Sequence, residues 1–143
     1  MPANADLERR HLPDVTDPEL APFWEGCRVG ELRIPRCDAC GKLVWYPRLT
    51  CPACGRENMT WAKVSGRGRL YTWVRVSRSF LPGFEKRVPY TTALVELEED
   101  PSVRLVTLLD DPSAAPLRIG LPLEVYFEAV DAELVLPRFR LQA

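Results

Sequence analysis

Cys37-Asp38-Ala39-Cys40-Gly41, then Lys42 to Thr50, then Cys51-Pro52-Ala53-Cys54-Gly55 is the stretch that decides how this chain folds. It holds two Cys-x-x-Cys pairs, separated by ten residues, and each pair is followed at once by glycine. Two thiolates three positions apart can grip one metal ion if the backbone between them turns tightly. The trailing Gly41 and Gly55 carry no Cβ, so the turn is unhindered and its amides can point at the sulfurs. Four such thiolates, Cys37, Cys40, Cys51 and Cys54, make a closed tetrahedral site, the usual structural zinc arrangement.

The separation is shorter than in many four-cysteine zinc modules. It still leaves room for two short strands returning on each other, as in a zinc ribbon. The competing assignment is a pair of redox dithiols or disulfides. A redox Cys-x-x-Cys normally comes singly and near a βαβ pattern, and neither holds here. Iron is the other alternative, because rubredoxin knuckles also end in glycine. Rubredoxins carry a much longer insert between them, which favours zinc. A closed site has no open position for water, so the metal is expected to hold the fold rather than catalyse.

Composition sets wide bounds. The 143 residues suffice for one ordinary domain or two very small ones. Apolar content of 46% and charged content of 27% fit a soluble globular protein. No apolar run approaches the roughly 20 residues needed to span a bilayer. Met1 to Arg10 is polar, with no signal-peptide core. Four of five cysteines in metal spacing indicate a reducing, cytoplasmic setting. The net charge of −1 argues against a dedicated nucleic-acid binder. Fourteen prolines imply short elements and fixed turns.

Read in order, residues 1–16 form a loosely docked arm carrying the chain's one histidine, His11, expected at the surface. A helix is expected from about Pro22 to Val29, ended by Gly30. Phe23, Trp24 and Cys27 fall on one face of it, either packing on the domain or lining a ligand channel or partner surface. Cys27 lies outside the metal spacing and reads as a buried free thiol. Glu31 to Arg36 leads into the first knuckle as a strand. Leu43 to Tyr46 are mostly strand formers, stopped by Pro47. Trp45 and Tyr46 are too large for so small a module to bury both, so one is expected to pack on the neighbouring domain. Trp61 and Val64 carry the last ribbon strand.

From Gly66 the character changes. Leu70–Val76, Leu94–Leu97, Val103–Leu109, Leu123–Val130 and Glu133–Phe139 read as strands, the last two joined by an Asp131-Ala132 turn. Gly66-Arg67-Gly68 suits a strongly bent first strand. Pro112, Pro116 and Gly120 mark the long connection before the fourth strand. Five strands without a long helix between them indicate a small β-barrel. The division is 1–36, arm and helix; 37–65, zinc ribbon; 66–143, barrel.

An ordered set of pieces carries a resemblance. They are Pro22-Phe23-Trp24-Glu25-Gly26, the two knuckles, Pro47-Arg48, Gly66-x-Gly68, Pro89-Tyr90, Ala93-Leu94-Val95-Glu96-Leu97, Ile119-Gly120-Leu121-Pro122 and Pro137-Arg138-Phe139. Together they resemble the OB-fold, zinc-ribbon acyl-CoA-associated proteins, long known as a domain of unknown function. The match covers roughly residues 20–141. Arg69, after Gly68, stands where a small or β-branched residue is expected. The resemblance implies a mainly β chain: a short N-terminal helix, a rubredoxin-like ribbon and a C-terminal five-stranded OB barrel. It also implies acyl-CoA metabolism. Family members accompany thiolase-like enzymes, including aldolases that cleave steroid side-chain thioesters, or sit beside hot-dog-fold hydratases. They are accessory subunits that complete the partner and help pass the CoA thioester along.

Candidate sites outside the knuckles follow from charge and exposure. Arg67, Arg69, Arg75 and Arg78, with Lys86 and Arg87, stand against one acid, Glu85; Glu96, Glu98, Glu99, Asp100, Asp110 and Asp111 stand against Arg104. Arginine forks suit phosphate, so the four arginines are candidates for the nucleotide end of CoA. The competing reading is a solvated face with cross-strand ion pairs. Glu96 to Asp100 reads as a charged turn rather than an acid–base cluster. Candidates for partner binding are Phe23, Trp24, Trp45, Tyr46 and the apolar loop residues Phe80, Leu81 and Phe84. The expected assembly pairs two copies of this chain with a dimer of a thiolase-fold enzyme. The rival function is a single-stranded nucleic-acid module, since OB folds serve that purpose and Tyr71, Trp73 and Arg75 share one strand.

Overall fold

The chain is described by a computed structural model over residues 11–110 and 116–142. The first ten residues of the arm, and Asp111 and Pro112 of the long connection, lie outside the described residues.

Helix α1 spans Ala21–Arg28, with proline in its first turn. Its buried face is Phe23, Gly26 and Cys27, at the spacing expected. It ends where the Glu31 and Val29 amides donate to the Gly26 carbonyl. Strand β1 (Leu32–Cys37) pairs antiparallel with β2 (Met59–Val64), so the ribbon sheet starts ahead of Cys37.

Five strands follow: β3 (Arg67–Val76), β4 (Tyr90–Leu97), β5 (Arg104–Asp110), β6 (Pro122–Ala129) and β7 (Val135–Leu141). They close into a barrel of order β3-β4-β5-β7-β6. β4 alternates strictly between buried and half-buried residues, the signature of one core-facing side. β3 serves two neighbours: its opening Arg67–Arg69 pairs with β6 while the whole strand runs along β4. That double duty needs a bend. A bulge between Leu70 and Thr72 supplies part of it. Gly68 supplies the rest, because a Cβ there would strike the Glu96 carbonyl. Among the described residues β5 and β7 meet in parallel through two pairs, Leu109↔Phe139 and Asp110↔Arg140.

Two local expectations change. Leu43 to Tyr46 is not a strand; its one ladder contact is a bridge from Leu43 to Arg36. Leu43 and Val44 are both buried, and the Val44 amide is spent on the Pro35 carbonyl rather than on a strand partner of its own. The β6–β7 turn is also longer than Asp131-Ala132. The Asp131 carboxylate accepts from the amides of Glu133 and Leu134, and the Val130 amide donates to the Leu134 carbonyl.

One apolar core runs through all three parts. Phe23 and Cys27 of α1, Leu32, Ile34, Leu43 and Val64 of the ribbon, and Leu70, Val95, Leu97, Leu123 and Phe139 of the barrel belong to one cluster. A polar tether adds to it: the Lys42 ammonium donates to Asp100 Oδ2 at 3.2 Å and to Ser102 Oγ at 2.9 Å. Nearby, Glu99 Oε1 accepts from the Ser65 amide at 2.6 Å.

Candidate functional site: a metal centre and an apolar cleft

The two knuckles are near copies of each other. In the first, the Gly41 amide donates to the Cys37 carbonyl and the Cys37 amide to the Lys42 carbonyl, at 2.8 and 2.9 Å. In the second, Gly55 donates to Cys51 and Cys51 to the Arg56 carbonyl, at 2.9 and 2.7 Å. Gly41 and Gly55 sit at φ of +77° and +76°, a region that favours glycine. This turn aims amides at sulfur. The Cys40 and Ala39 amides hold the Cys37 thiol below its ordinary range against the opposing effect of burial. The Cys54 and Ala53 amides do the same for Cys51, down to about 7.

All four Sγ atoms lie within 4.8 Å of one another. Two of the separations are 3.6 Å, Cys37 to Cys54, and 3.7 Å, Cys40 to Cys51. Zn–S bonds of about 2.3 Å set tetrahedral S···S edges of about 3.8 Å, so the sulfur frame fits the ion. Cys37 and Cys51 are buried, while Cys40 and Cys54 face outward. The four cysteines form a structural zinc site. Cys27 stands apart: burial pushes its thiol up to about 12.

Between the knuckles, Trp45 and Tyr46 stack at 4.8 Å, and Trp45 lies 5.0 Å from Phe23 of α1. Trp45 is half-buried against the common core, and Tyr46 is 63% exposed. One ring of the pair therefore packs inward, as its size requires. Phe23 is buried, and Trp24 crosses it edge-on at 5.0 Å.

These aromatics wall a cleft of about 310 Å³. Leu105–Leu108 of β5, Leu136, Pro137 and Phe139 of β7, and Pro13 and Leu20 ahead of α1 also line it. The Nε1–H of Trp24 is shut off from solvent and meets no acceptor among the described residues. Sequence reasoning singled out the four aromatics but not the barrel wall they face. No periodicity in the sequence brings β5 and β7 to the same place.

The arginines are spread along β3. Arg67 pairs with Glu98 at 2.9 Å, and Arg69 donates to the Gly120 carbonyl at 3.2 Å. Arg75 stands about 20 Å further along the strand, and Arg78 lies beyond its end. The acidic run is likewise engaged: Glu96 with Arg104, Glu98 with Arg67, Glu99 with Ser65, Asp100 with Lys42 and Ser102. In the β3–β4 loop, Phe80 is 83% exposed, Leu81 is exposed, and Phe84 packs against Tyr90 and the exposed His11. Tyr71 carries the Arg104 guanidinium 3.9 Å above its ring.

A cysteine-knuckle ribbon fused to a closed OB-type barrel through one core defines the class: a zinc-ribbon, OB-fold protein. The family model for the ChsH2 rubredoxin-like zinc ribbon domain matches residues 24–60, and that for the ChsH2 C-terminal OB-fold domain matches residues 61–128. The chain belongs to the DUF35 family. A solved structure titled Ltp2-ChsH2(DUF35) aldolase contains a chain that is 33% identical, at TM-score 0.78. It covers 90% of this chain and is itself covered to 98%. A probable enoyl-CoA hydratase alpha subunit from Thermomonospora curvata is 37% identical over 119 residues. That match takes in 82% of this chain but only 36% of the relative's length. The benzoylsuccinyl-CoA thiolase subunit BbsA of Thauera aromatica is 32% identical over 91 residues, 62% of this chain and 60% of the relative. Among the described residues no helix is long and apolar enough to cross a membrane.

Proposed function

We propose that this chain is a non-catalytic accessory subunit in acyl-CoA metabolism, seated on a thiolase-fold enzyme of the thiolase or steroid side-chain aldolase type. The likeness along nearly the whole of the solved aldolase-associated chain carries this reading. Side-chain chemistry agrees with it. The zinc site is closed, so it supplies no activated water. The Cys27 thiol, pushed to about 12, is not a nucleophile at neutral pH. His11 is exposed against Phe84.

Exposed aromatic and apolar groups supply the docking surface: Tyr46 beside the ribbon, and Phe80 and Leu81 on the β3–β4 loop. Large rings in such positions tend to dominate interface energy. The assembly is two copies of this chain flanking an enzyme dimer, in line with the commonest symmetry of enzyme cores. The subunit helps hold the CoA thioester, with Arg67, Arg69, Arg75 or Arg78 toward its phosphates. Co-expression with a neighbouring thiolase-like protein, followed by size-exclusion chromatography with light scattering, tests the proposal. Co-elution with gain of activity or solubility is the expected result. Separate elution at micromolar concentration, with the enzyme fully active alone, overturns it. The hydratase likeness supports a second reading, a hot-dog-fold hydratase as partner, which the same experiment resolves with that protein in place of the first.

A further inference from the structure

We infer that the four-cysteine site is also an oxidation site for hydroperoxides, in which Cys40 and Cys54 are struck first and disulfides then close between the two knuckles, Cys54 with Cys37 and Cys40 with Cys51. Two observations carry this. The first is exposure. Each knuckle turns one cysteine outward, Cys40 or Cys54, and buries the other, Cys37 or Cys51. The chain neighbours of the outward pair, Ala39, Gly41, Ala53 and Gly55, are small and exposed themselves. A metal-bound cysteine is a thiolate, and a thiolate open to solvent is the first target of an oxidant. The second is separation. The Cys54 sulfur lies 3.6 Å from that of Cys37, and the Cys40 sulfur 3.7 Å from that of Cys51. Each outward sulfur therefore touches a buried sulfur of the other knuckle, the arrangement of an oxidisable cysteine beside a resolving one.

The chemistry balances in two steps. The Cys54 sulfur attacks one peroxide oxygen; an S–O bond forms, the O–O bond breaks and hydroxide leaves, giving a sulfenic acid. The Cys37 thiolate then attacks the Cys54 sulfur; the S–S bond forms, the S–O bond breaks and a second hydroxide leaves. The two sulfurs lose two electrons, the peroxide gains them, and each hydroxide takes a proton from the buffer. Cys40 and Cys51 follow the same course with a second peroxide. Thiolates are the metal ligands, so a site of two neutral disulfides no longer holds the ion. The new bonds join the same two knuckles that the ion joined. Residues 41–50 therefore stay tied at both ends, and the order of that loop outlasts the metal. Cys27 takes no part, being 1% exposed and outside the sulfur cluster.

The test uses the full zinc-loaded chain and hydrogen peroxide, followed with a zinc-binding dye and by mass spectrometry. Zinc release should be complete at two peroxides per zinc. The product should be about 4 Da lighter than the reduced chain and, once unfolded, keep one thiol open to alkylation, that of Cys27. Trypsin cuts after Arg36, Lys42, Arg48 and Arg56, so the two knuckles fall in separate peptides, 37–42 and 49–56. These should appear as one linked species that dithiothreitol splits, and its fragmentation should show Cys37–Cys54 and Cys40–Cys51 bonds. With dimedone present and peroxide limiting, the trapped sulfenic acid should sit on Cys40 or Cys54. The oxidised, zinc-free chain should melt above the reduced, zinc-free chain. Zinc retained under about tenfold excess peroxide overturns the proposal, as do unlinked peptides each about 2 Da lighter, whose bonds lie within a knuckle. Dimedone on Cys37 or Cys51, a bond to Cys27, or an oxidised chain that melts no higher than the reduced apo chain overturns it too. No step needs a partner enzyme, and zinc content before peroxide is measured separately, so neither the accessory-subunit reading nor the metal assignment falls with it.

Discussion

Ile34→Ala is the substitution that best tests whether ribbon and barrel stand or fall together. Ile34 lies in β1, outside the barrel, yet it is 0% exposed and belongs to the cluster that includes Leu70, Val95 and Phe139. Truncation removes three carbons from a fully buried site, about 2.4 kcal/mol at roughly 0.8 kcal/mol per methylene. A residual cavity of some 40 Å³ adds about 1 kcal/mol. The total of about 3.5 kcal/mol should lower Tm by roughly 10 °C in a chain of this size. The assay follows two probes through one urea titration: zinc release, reporting the ribbon, and Trp73 fluorescence in a chain whose other tryptophans are phenylalanine, reporting β3. A shared core predicts that both midpoints fall by the same amount. A shift in zinc release with no shift at Trp73 would refute the single-core argument.

Zinc analysis should give one ion per chain; Cys40→Ser should lose it and unfold the ribbon, and full stability in chelator would contradict the metal assignment. Gly68→Ala places a Cβ against the Glu96 carbonyl and 2.7 Å from Val95 Cγ1, so stability measured by urea melting should drop by about 1–3 kcal/mol. Burial pushes the Asp100 carboxyl up, but hydrogen bonds from the Ser102 hydroxyl and amide and the Lys42 ammonium outweigh it and hold the group below its ordinary 3.8. Its contribution is therefore present above the unfolded value and lost as pH falls through the folded one. Asp100→Asn should be less stable than the parent at pH 7, and the gap should shrink below about pH 4 in paired urea melts. Arg75→Ala with Arg78→Ala should weaken CoA-thioester binding by the intact complex in calorimetry, more at low salt than at high; unchanged affinity would remove these residues from the phosphate assignment.

The knuckles were legible because spacing and glycine position dictate geometry there with little outside help. β4 and β5 were legible as strands from their β-branched and leucine content, but not the inward side of β5, where Thr107 is buried and Val106 is exposed. Leu43–Tyr46 was not legible as a non-strand, because Leu43 packs into the common core and Val44 against Cys37 and Cys51, contacts that only the folded chain supplies. Charge segregation along the chain also has a different meaning in space. The basic run on β3 and the acidic run on β4 lie on adjacent antiparallel strands, with Arg69 opposite Glu96 and Arg67 bonded to Glu98. What is polarised in sequence is interleaved on the barrel surface. The cleft was invisible for a related reason: its walls come from segments near residues 23, 45, 106 and 137, and only the closed barrel joins them.

The position of the four cysteines relative to the aromatics ties the ribbon's stability to the order of the inter-knuckle loop. The segment from Gly41 to Thr50 is fixed at both ends by thiolate ligands, Cys40 and Cys51. Its middle carries Trp45 and Tyr46, with Val44 donating its amide to the Pro35 carbonyl at 2.8 Å and Trp45 packed on Phe23. A ten-residue loop free at its ends would present two large rings in many orientations, and ordering them on contact would cost binding energy. Clamped between two knuckles, the rings are ordered before any partner or ligand arrives. The Lys42 tether to Asp100 and Ser102 fixes the same segment against the barrel. A zinc ion held by the four cysteines would, by holding this loop, set the geometry of the cleft wall and of the exposed Tyr46 ring together.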